Sequence, residues 1–182
     1  LGRLGERIAS PLVTLVDDPT LEKGLLSRPF DAEGTPTART VVVEKGVFKT
    51  FLHNLETAKA LGQRNTGHAA RSYRGTLGVA PTNLYLEPVG NLALTDGMVV
   101  TEFMGLRAGA NPVTLDFSLQ ALGLWVEEGE VRHAVENFAV SGNLLELLQA
   151  VEAVGDDLDW LLWNAAYGSP TVAVAELSFA GA

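Results

Sequence analysis

Two segments with the same layout, residues 41–49 and 124–132, constrain the fold more than any other feature of the sequence. Each has a run of β-branched or aromatic residues, a short charged turn ending in Gly, and a second run in which apolar and basic residues alternate. This layout is typical of a β-hairpin, because Gly accepts the positive φ that a tight turn requires. Two hairpins predict a chain built mainly from antiparallel strands. The likeness of the two segments fits either a pseudo-repeat or common turn chemistry.

Other segments add strands and a small number of helices. The clearest helical spacing covers residues 144–154, where Asn143 can cap the start and Gly155 can end the helix. A shorter helix is predicted after Asn54, ending at Gly62. Further strands are predicted at residues 10–16, 83–86, 99–103 and 171–179. We therefore expect an α+β, β-rich fold with a mainly antiparallel sheet or barrel-like core and about two helices.

Composition limits the classes of function. The 182 residues include no Cys, which excludes disulfides, thiol nucleophiles and Cys-ligated zinc in this segment and fits a reducing cytoplasm. A net charge of −9 disfavours nucleic acid as a partner, and no apolar run is long enough to span a membrane. We expect residues 1–182 to form a single domain. The start at Leu1, with neither an initiator Met nor a signal-peptide layout, predicts a piece of a longer protein.

No local pattern predicts a catalytic centre or a metal site. The histidines His53, His68 and His133 are not spaced to share one helical face, and no serine-hydrolase elbow, P-loop or dinucleotide fingerprint occurs. The acidic clusters at residues 17–18 and 156–159 are typical of turns. His68 lies in a basic loop and is the histidine best placed to contact a substrate or partner. We predict no catalytic residue and no metal ligand in this chain.

A series of short phrases, in a fixed order along the chain, is more informative than any single motif. The phrases include Ser27-Arg28-Pro29-Phe30, Asn65-Thr66-Gly67-His68-Ala69, Asn83-Leu84-Tyr85-Leu86-Glu87-Pro88, Asn111-Pro112-Val113-Thr114, Ser141-Gly142-Asn143-Leu144 and Gly168-Ser169-Pro170. This series resembles the C-terminal domain of the TldD/PmbA family, whose members are also labelled modulators of DNA gyrase. The resemblance runs from about Leu4 to the end of the chain.

The resemblance implies a particular branch of that family. Its catalytic TldD-type subunit is a zinc peptidase with an HExxxH motif upstream of the position equivalent to Leu1 and a Cys ligand near the C-terminal end. The PmbA-type partner, also called TldE, lacks these ligands. Residues 164–167 here are Asn-Ala-Ala-Tyr where the catalytic type would place the Cys, and the phrase at residues 27–30 looks like PmbA. The connection over residues 89–98 is shorter than is usual in PmbA-type chains.

The resemblance therefore implies a domain of a non-catalytic subunit in a TldD/TldE-type zinc peptidase complex. Its partners would be a TldD-like catalytic subunit or further copies of itself, and an unfolded peptide held as an added strand, with zinc only in the catalytic partner and no nucleic acid or membrane. Two alternatives remain: a binding module that modulates DNA gyrase without a peptidase role, and a catalytic metallopeptidase subunit if zinc ligands lie upstream.

Three polar, Gly-containing loops are the predicted peptide- or partner-facing surfaces: residues 28–34, 65–73 and 111–118. The candidate residues on them are Arg28, Asp31, Glu33, His68, Arg71, Asn111 and Asp116. The competing interpretation, that these phrases only satisfy demanding turns, fits the same residues.

Overall fold

The computed structural model describes residues 2–181 and confirms an α+β fold in which strands predominate. In chain order the elements are β1 (Leu15–Asp17), β2 (Thr40–Glu44), β3 (Val47–Phe48), α1 (Leu55–Leu61), β4 (Ala69–Ala70), β5 (Gly78–Val79), β6 (Asn83–Leu86), β7 (Gly97–Met104), α2 (Leu106–Gly109), β8 (Asp116–Glu127), β9 (Glu130–Asn143), α3 (Leu144–Gln149), β10 (Val151–Val154), β11 (Asp159–Leu162), β12 (Ala166–Ser169), β13 (Val172–Val174) and β14 (Ser178–Ala180). None of the helices in this part of the chain has the length and apolar character needed to cross a membrane.

Four open sheets organise these strands. The largest has six strands in the order β11-β12-β6-β1-β2-β3, and a second has four in the order β14-β9-β8-β7. Strands β10 and β13 pair with each other, as do β4 and β5. All pairs are antiparallel except β6 with β12. No sheet over residues 2–181 closes into a barrel. Of the two predicted cores, the mainly antiparallel sheet is therefore confirmed.

Both predicted hairpins are present. Their turns place Lys45 (φ 45°) with Gly46 (φ 81°), and Glu128 (φ 54°) with Gly129 (φ 76°). Positive φ at both central residues is the type I′ geometry, which matches the twist of the flanking strands. The second hairpin is far longer than predicted, because β8 and β9 continue for 12 and 14 residues.

The shorter predicted helix is confirmed as α1. The Asn54 side chain accepts from the Thr57 backbone N–H at 2.8 Å and Thr57 reciprocates, which completes a capping box. Gly62 ends the helix in the left-handed region at φ 62°. The sequence does not predict α2, a helix of four residues.

The prediction of a helix over residues 144–154 is wrong in its second half. Asn143 caps α3 as expected, accepting from the Leu145 N–H at 3.0 Å, but the helix ends at Gln149. Val151 and Val154 instead lie in β10, paired with β13. These β-branched residues satisfy a helical spacing and a strand equally well, and the cross-strand partner decides between them.

Two strand predictions also need correction. Of the strand predicted at residues 10–16, only Leu15 and Val16 pair with a neighbour, and the strand continues to Asp17, where the sequence predicts a turn. Residues 10–13 instead form a turn in which the Val13 N–H donates to the Ser10 carbonyl at 2.9 Å. The C-terminal run at residues 171–179 divides into β13 and β14, which join different sheets.

Two separate apolar clusters support the sheets. The first lies between the six-stranded sheet and the β10–β13 pair, and the second lies on the four-stranded sheet. Their buried members are Ala9, Val13, Val43, Leu86, Val151 and Val154 in the first, and Ala121, Phe138 and Val140 in the second.

Candidate functional site

One end of the six-stranded sheet collects most of the predicted loops. There β1 ends at Asp17, β6 begins at Asn83, β12 begins at Ala166 and β11 ends at Leu162. The register places these ends side by side, since Asn83 pairs with Ala166 and Ala166 pairs with Leu162. We call this edge the loop end of the sheet.

A buried pair of ionisable side chains lies at the loop end. His68 Nε2 is 3.0 Å from Asp17 Oδ1, and both side chains are fully buried. The backbone N–H of Thr82 donates to Asp17 Oδ2 at 2.7 Å, and His68 Nδ1 lies 2.8 Å from Thr66 Oγ1. The pair thus connects β1 to the segments on either side of β4 and β5.

Asp17, His68 and Thr66 are connected in the order carboxylate, imidazole, hydroxyl, which is also the order in a catalytic triad. The likeness ends with that order. Thr66 Oγ1 accepts from the His53 N–H at 2.6 Å and donates to the His53 carbonyl at 3.1 Å. A catalytic hydroxyl must be able to reach a substrate carbonyl, whereas this one is held between buried groups. The arrangement stabilises the loop end and offers no nucleophile.

His53 is the second buried imidazole. Burial, followed by the proximity of His68, lowers the pKa of the His53 imidazole below its ordinary value. Its Nδ1 lies 3.3 Å from Thr57 Oγ1, and its Nε2 has no hydrogen-bond partner within residues 2–181. A neutral imidazole is the form that such a site favours.

Asp31 and Glu33 tie their loop to neighbouring elements. Asp31 Oδ1 accepts from the backbone N–H groups of Glu33 and Thr35 at 2.9 Å each, and Asp31 Oδ2 accepts from that of Ala69 at 3.0 Å. Glu33 Oε2 accepts from the N–H of Leu55, the first residue of α1, at 2.9 Å. Both carboxylates therefore already hold backbone donors that would otherwise lack partners.

The remaining candidates divide between two places. Arg28 is half-buried at the loop end, and its Nε and Nη2 have no partner in the described chain. Arg71 is exposed just beyond β4. Asp116 is the first residue of β8, and the Asn111 N–H donates to its carbonyl at 2.9 Å. The Asn143 amide donates to the Asp116 side chain at 2.8 Å and lowers the pKa of that carboxyl.

The structure therefore brings Arg28, Asp31, Glu33, His68 and Arg71 to one region. No hydrogen bond or ion pair within residues 2–181 joins Asn111 or Asp116 to that region. The burial of His68 leaves its ring without access to a surface ligand, whereas Arg71 is exposed. That these loops face a peptide or partner stays a prediction.

Sequence reasoning missed an apolar edge at the same end. Strand β11 pairs only with β12 in the described chain, and its last two residues and the one after them are more than half exposed: Leu161 (60%), Leu162 (57%) and Trp163 (53%). Arg107 lies 5.0 Å over the Trp163 ring. The Trp-Leu-Leu-Trp run at residues 160–163 was the available signal.

A groove of about 370 Å³ lies beside this edge. Tyr85 and Trp160 pack in its wall with ring centroids 5.6 Å apart, and residues 21–25 form the opposite side. An exposed strand edge next to an apolar groove can take up an extended peptide, since the free N–H and C=O groups bond its backbone and the groove accepts a side chain.

Residues 2–181 do not assemble a complete zinc site by themselves. Cys is absent from the sequence, and within residues 2–181 no three His, Asp or Glu side chains gather closely enough to hold an ion. At residues 164–167 the Tyr167 hydroxyl donates to Asn164 Oδ1 at 2.9 Å, so the structure presents an amide and a phenol there. Neither group belongs to the usual ligands of zinc.

Sequence comparison relates residues 1–181 to a family model described as the PmbA/TldA metallopeptidase C-terminal domain. Metalloprotease PmbA of Escherichia coli O157:H7 is 35% identical over 159 residues, which is 87% of this chain and 34% of that protein. A metalloprotease of Methanothermobacter thermautotrophicus is 36% identical over 163 residues, covering 86% of this chain and 35% of that protein. The chain spans about a third of the length of these curated relatives.

Solved structures give the same relationship. A proposed modulator of a DNA gyrase from Thermotoga maritima superposes with a TM-score of 0.87 at 41% identity, over 98% of this chain and 41% of that one. TldE from Thermococcus kodakarensis superposes with a TM-score of 0.89 at 30% identity, over 99% of this chain and 42% of that one.

Proposed function

The chain belongs to the PmbA/TldD family of metallopeptidase-related proteins, and we propose that it serves as the C-terminal domain of a non-catalytic, TldE-type subunit in a peptidase complex. The complex would act on unfolded peptides in the cytoplasm, with zinc held by a TldD-like catalytic partner. Likeness to TldE supports this assignment, as does the Asn-Ala-Ala-Tyr run at residues 164–167, where the catalytic type would place its Cys ligand. The role of the domain is then to hold and enclose the peptide.

The observation that carries the proposal is the exposed edge of β11. An unfolded peptide offers unpaired N–H and C=O groups of its own, and main-chain pairing to a strand edge is indifferent to sequence. The exposed side chains of Leu161 and Leu162 add apolar contact without selecting a particular residue. These properties suit a subunit that must accept many unfolded chains.

The register identifies which groups of β11 are free. The Trp163 N–H donates to the Ala165 carbonyl at 3.0 Å, so Trp163 faces β12. Since residues of an antiparallel pair alternate in direction, the N–H groups of Leu162 and Trp160 point to the open side. A peptide pairing with this edge would use those two residues.

Substitution at Leu162 tests the pairing directly. Leu162→Pro removes an N–H on the open side while leaving the bonds to β12 intact, and Pro is tolerated on an edge strand. We expect about a fivefold loss of affinity for a labelled unfolded peptide, measured by fluorescence anisotropy, from one lost hydrogen bond. The control Leu162→Ala removes the side chain and keeps the N–H. Equal binding by the two variants would refute main-chain pairing.

The subunit assignment needs a second test. The chain should copurify with a TldD-type catalytic subunit, and an unfolded peptide should be hydrolysed only when both are present. Hydrolysis by the protein that carries this chain alone, together with stoichiometric bound zinc, would instead make it a catalytic subunit.

A gyrase-binding module is the second candidate, favoured by the relative from Thermotoga maritima that is described as a proposed modulator of a DNA gyrase. This function predicts direct binding to purified gyrase without any peptidase partner. Binding that is unaffected by Leu162→Pro would separate it from peptide capture.

A further inference from the structure

An acid-free segment interrupts an otherwise acidic chain. The sequence has 22 acidic and 13 basic residues, yet residues 57–86 contain no Asp or Glu and carry Lys59, Arg64, Arg71 and Arg74. The middle of this segment forms β4, β5 and the connection between them, residues 69–79, which we call the basic ribbon. The local charge of the ribbon is therefore opposite to that of the whole chain.

The tip of the basic ribbon is an ordered turn. The Gly75 N–H donates to the Ser72 carbonyl at 3.1 Å, which places Tyr73 and Arg74 at the two central positions. Tyr73 is 89% exposed, and the Arg74 guanidinium lies 5.0 Å over its ring. The turn thus presents a cation and an aromatic ring together to solvent.

The two ribbon arginines lack ionic partners inside the described chain. Arg3, Arg39 and Arg132 each form an ion pair with a carboxylate, whereas no ion pair within residues 2–181 includes Arg71 or Arg74. Both are exposed, so their donors are available to a ligand. An Arg guanidinium is well suited to a carboxylate, which it can bind through two parallel hydrogen bonds.

Buried groups hold the base of the ribbon in place. The Ala32 N–H donates to the Ala69 carbonyl at 3.0 Å, and the Ala69 N–H donates to Asp31. The Ala80 N–H donates to the carbonyl of His68, whose ring is fixed by Asp17. Asp31 and His68 therefore fix the backbone at the base of the ribbon.

The ribbon rises from the same end of the sheet as the free edge of β11. It returns directly into β6, and β6 lies two strands from β11 with β12 between them. Because neighbouring strands are about 4.8 Å apart, the base of the ribbon lies about 10 Å from the end of β11. An extended peptide that leaves β11 at the loop end passes within reach of it.

We propose that the basic ribbon binds an acidic segment of the peptide, so that the domain prefers unfolded chains with Asp and Glu beyond the stretch paired to β11. This preference rests on the proposed function. A short peptide carries few charges and meets the ribbon locally, whereas a nucleic acid presents a continuous anionic backbone to a chain of net charge −9.

The test uses two labelled peptides of about twelve residues that share an apolar half and differ in the other, with Glu in one and Gln in the second. Two exposed charge pairs predict that the Glu peptide binds about three- to tenfold more tightly. Arg71→Ala with Arg74→Ala should remove the difference, and raising the salt from about 0.05 to about 0.5 M should shrink it. The matched control is Arg3→Ala with Lys49→Ala, which changes the net charge equally and should keep it.

Each outcome has a defined meaning. The ribbon proposal alone fails if Leu162→Pro weakens binding of the Gln peptide but the Glu peptide binds no more tightly than the Gln peptide. It also fails if both double variants lose the preference for the Glu peptide equally. Tighter ribbon-dependent binding of single-stranded oligothymidine also overturns it. If neither peptide binds, or if Leu162→Pro has no effect on the Gln peptide, the proposed function fails as well.

Discussion

The two hairpin turns differ in one respect that a single substitution can expose. Gly46 and Gly129 occupy the same position of a type I′ turn, with φ of 81° and 76°. A Cβ built on Gly129 meets nothing within 4 Å, whereas one built on Gly46 would lie 2.3 Å from the Ala9 carbonyl oxygen and 2.8 Å from that of Ser10. Both contacts are to backbone, which cannot rotate away as a side chain can.

The expected costs follow from these environments. Gly129→Ala should lower the free energy of unfolding by about 1–2 kcal/mol, the cost of a left-handed conformation for a residue with a Cβ. Gly46→Ala carries the same cost and must also separate the turn from residues 8–13, where the Ile8 N–H donates to Gly46 and the Gly46 N–H donates to Val13 at 2.8 Å each. Two lost backbone bonds at about 1 kcal/mol each bring its total to about 3–4 kcal/mol.

Urea unfolding followed by far-UV circular dichroism measures both values, provided that the slope of each transition is unchanged. The two variants can be compared directly, because each replaces the Gly of a type I′ turn by Ala and each Gly follows a charged residue. Unfolding free energies that agree within about 0.5 kcal/mol would show that the packing of the first turn against residues 8–13 does not stabilise the chain.

Two further predictions concern the loop end of the sheet. Asp17→Asn replaces one acceptor oxygen by a donor that faces His68 or Thr82, so it should lower the free energy of unfolding by about 3 kcal/mol. The exposed control Asp156→Asn should change it by less than about 0.5 kcal/mol. Similar losses for the two variants in a urea titration would contradict this prediction. Because the pKa of His53 is lowered in the folded state, the unfolded chain takes up that proton first as the pH falls below the ordinary 6.5. Stability should therefore decrease between pH 6.5 and the folded-state pKa, and urea midpoints across this range should flatten in His53→Gln; an unaltered profile would rule out this imidazole as the source.

Local chemistry explains which elements the sequence predicts. The capping residue Asn54 and the left-handed Gly62 lie within one helix length of each other, so α1 could be placed at both ends. The turn residues Gly46 and Gly129 likewise predict their hairpins, because each lies beside the strands that it joins. In these cases the interaction that decides the structure joins residues close in sequence.

The rest depends on partners far along the chain. Whether Val151 continues a helix or begins a strand is decided by Val174, with which it pairs. The Asp17–His68 contact joins residues 51 positions apart, and nothing beside either residue marks it. The sequence therefore predicts a turn at Asp17 and a surface contact at His68, although both side chains are buried.

The parallel pairing of β6 with β12 has a consequence for how the chain acquires its structure. Asn83 meets Ala166 across 83 positions, with the whole β8–β9 hairpin encoded between them. High contact order slows folding, so the hairpin should form early and the central sheet late. A nascent chain that has not yet emerged past residue 169 leaves one side of β6 unsatisfied, and such an edge is prone to intermolecular pairing. During biosynthesis, this protein is itself an unfolded chain with an open strand.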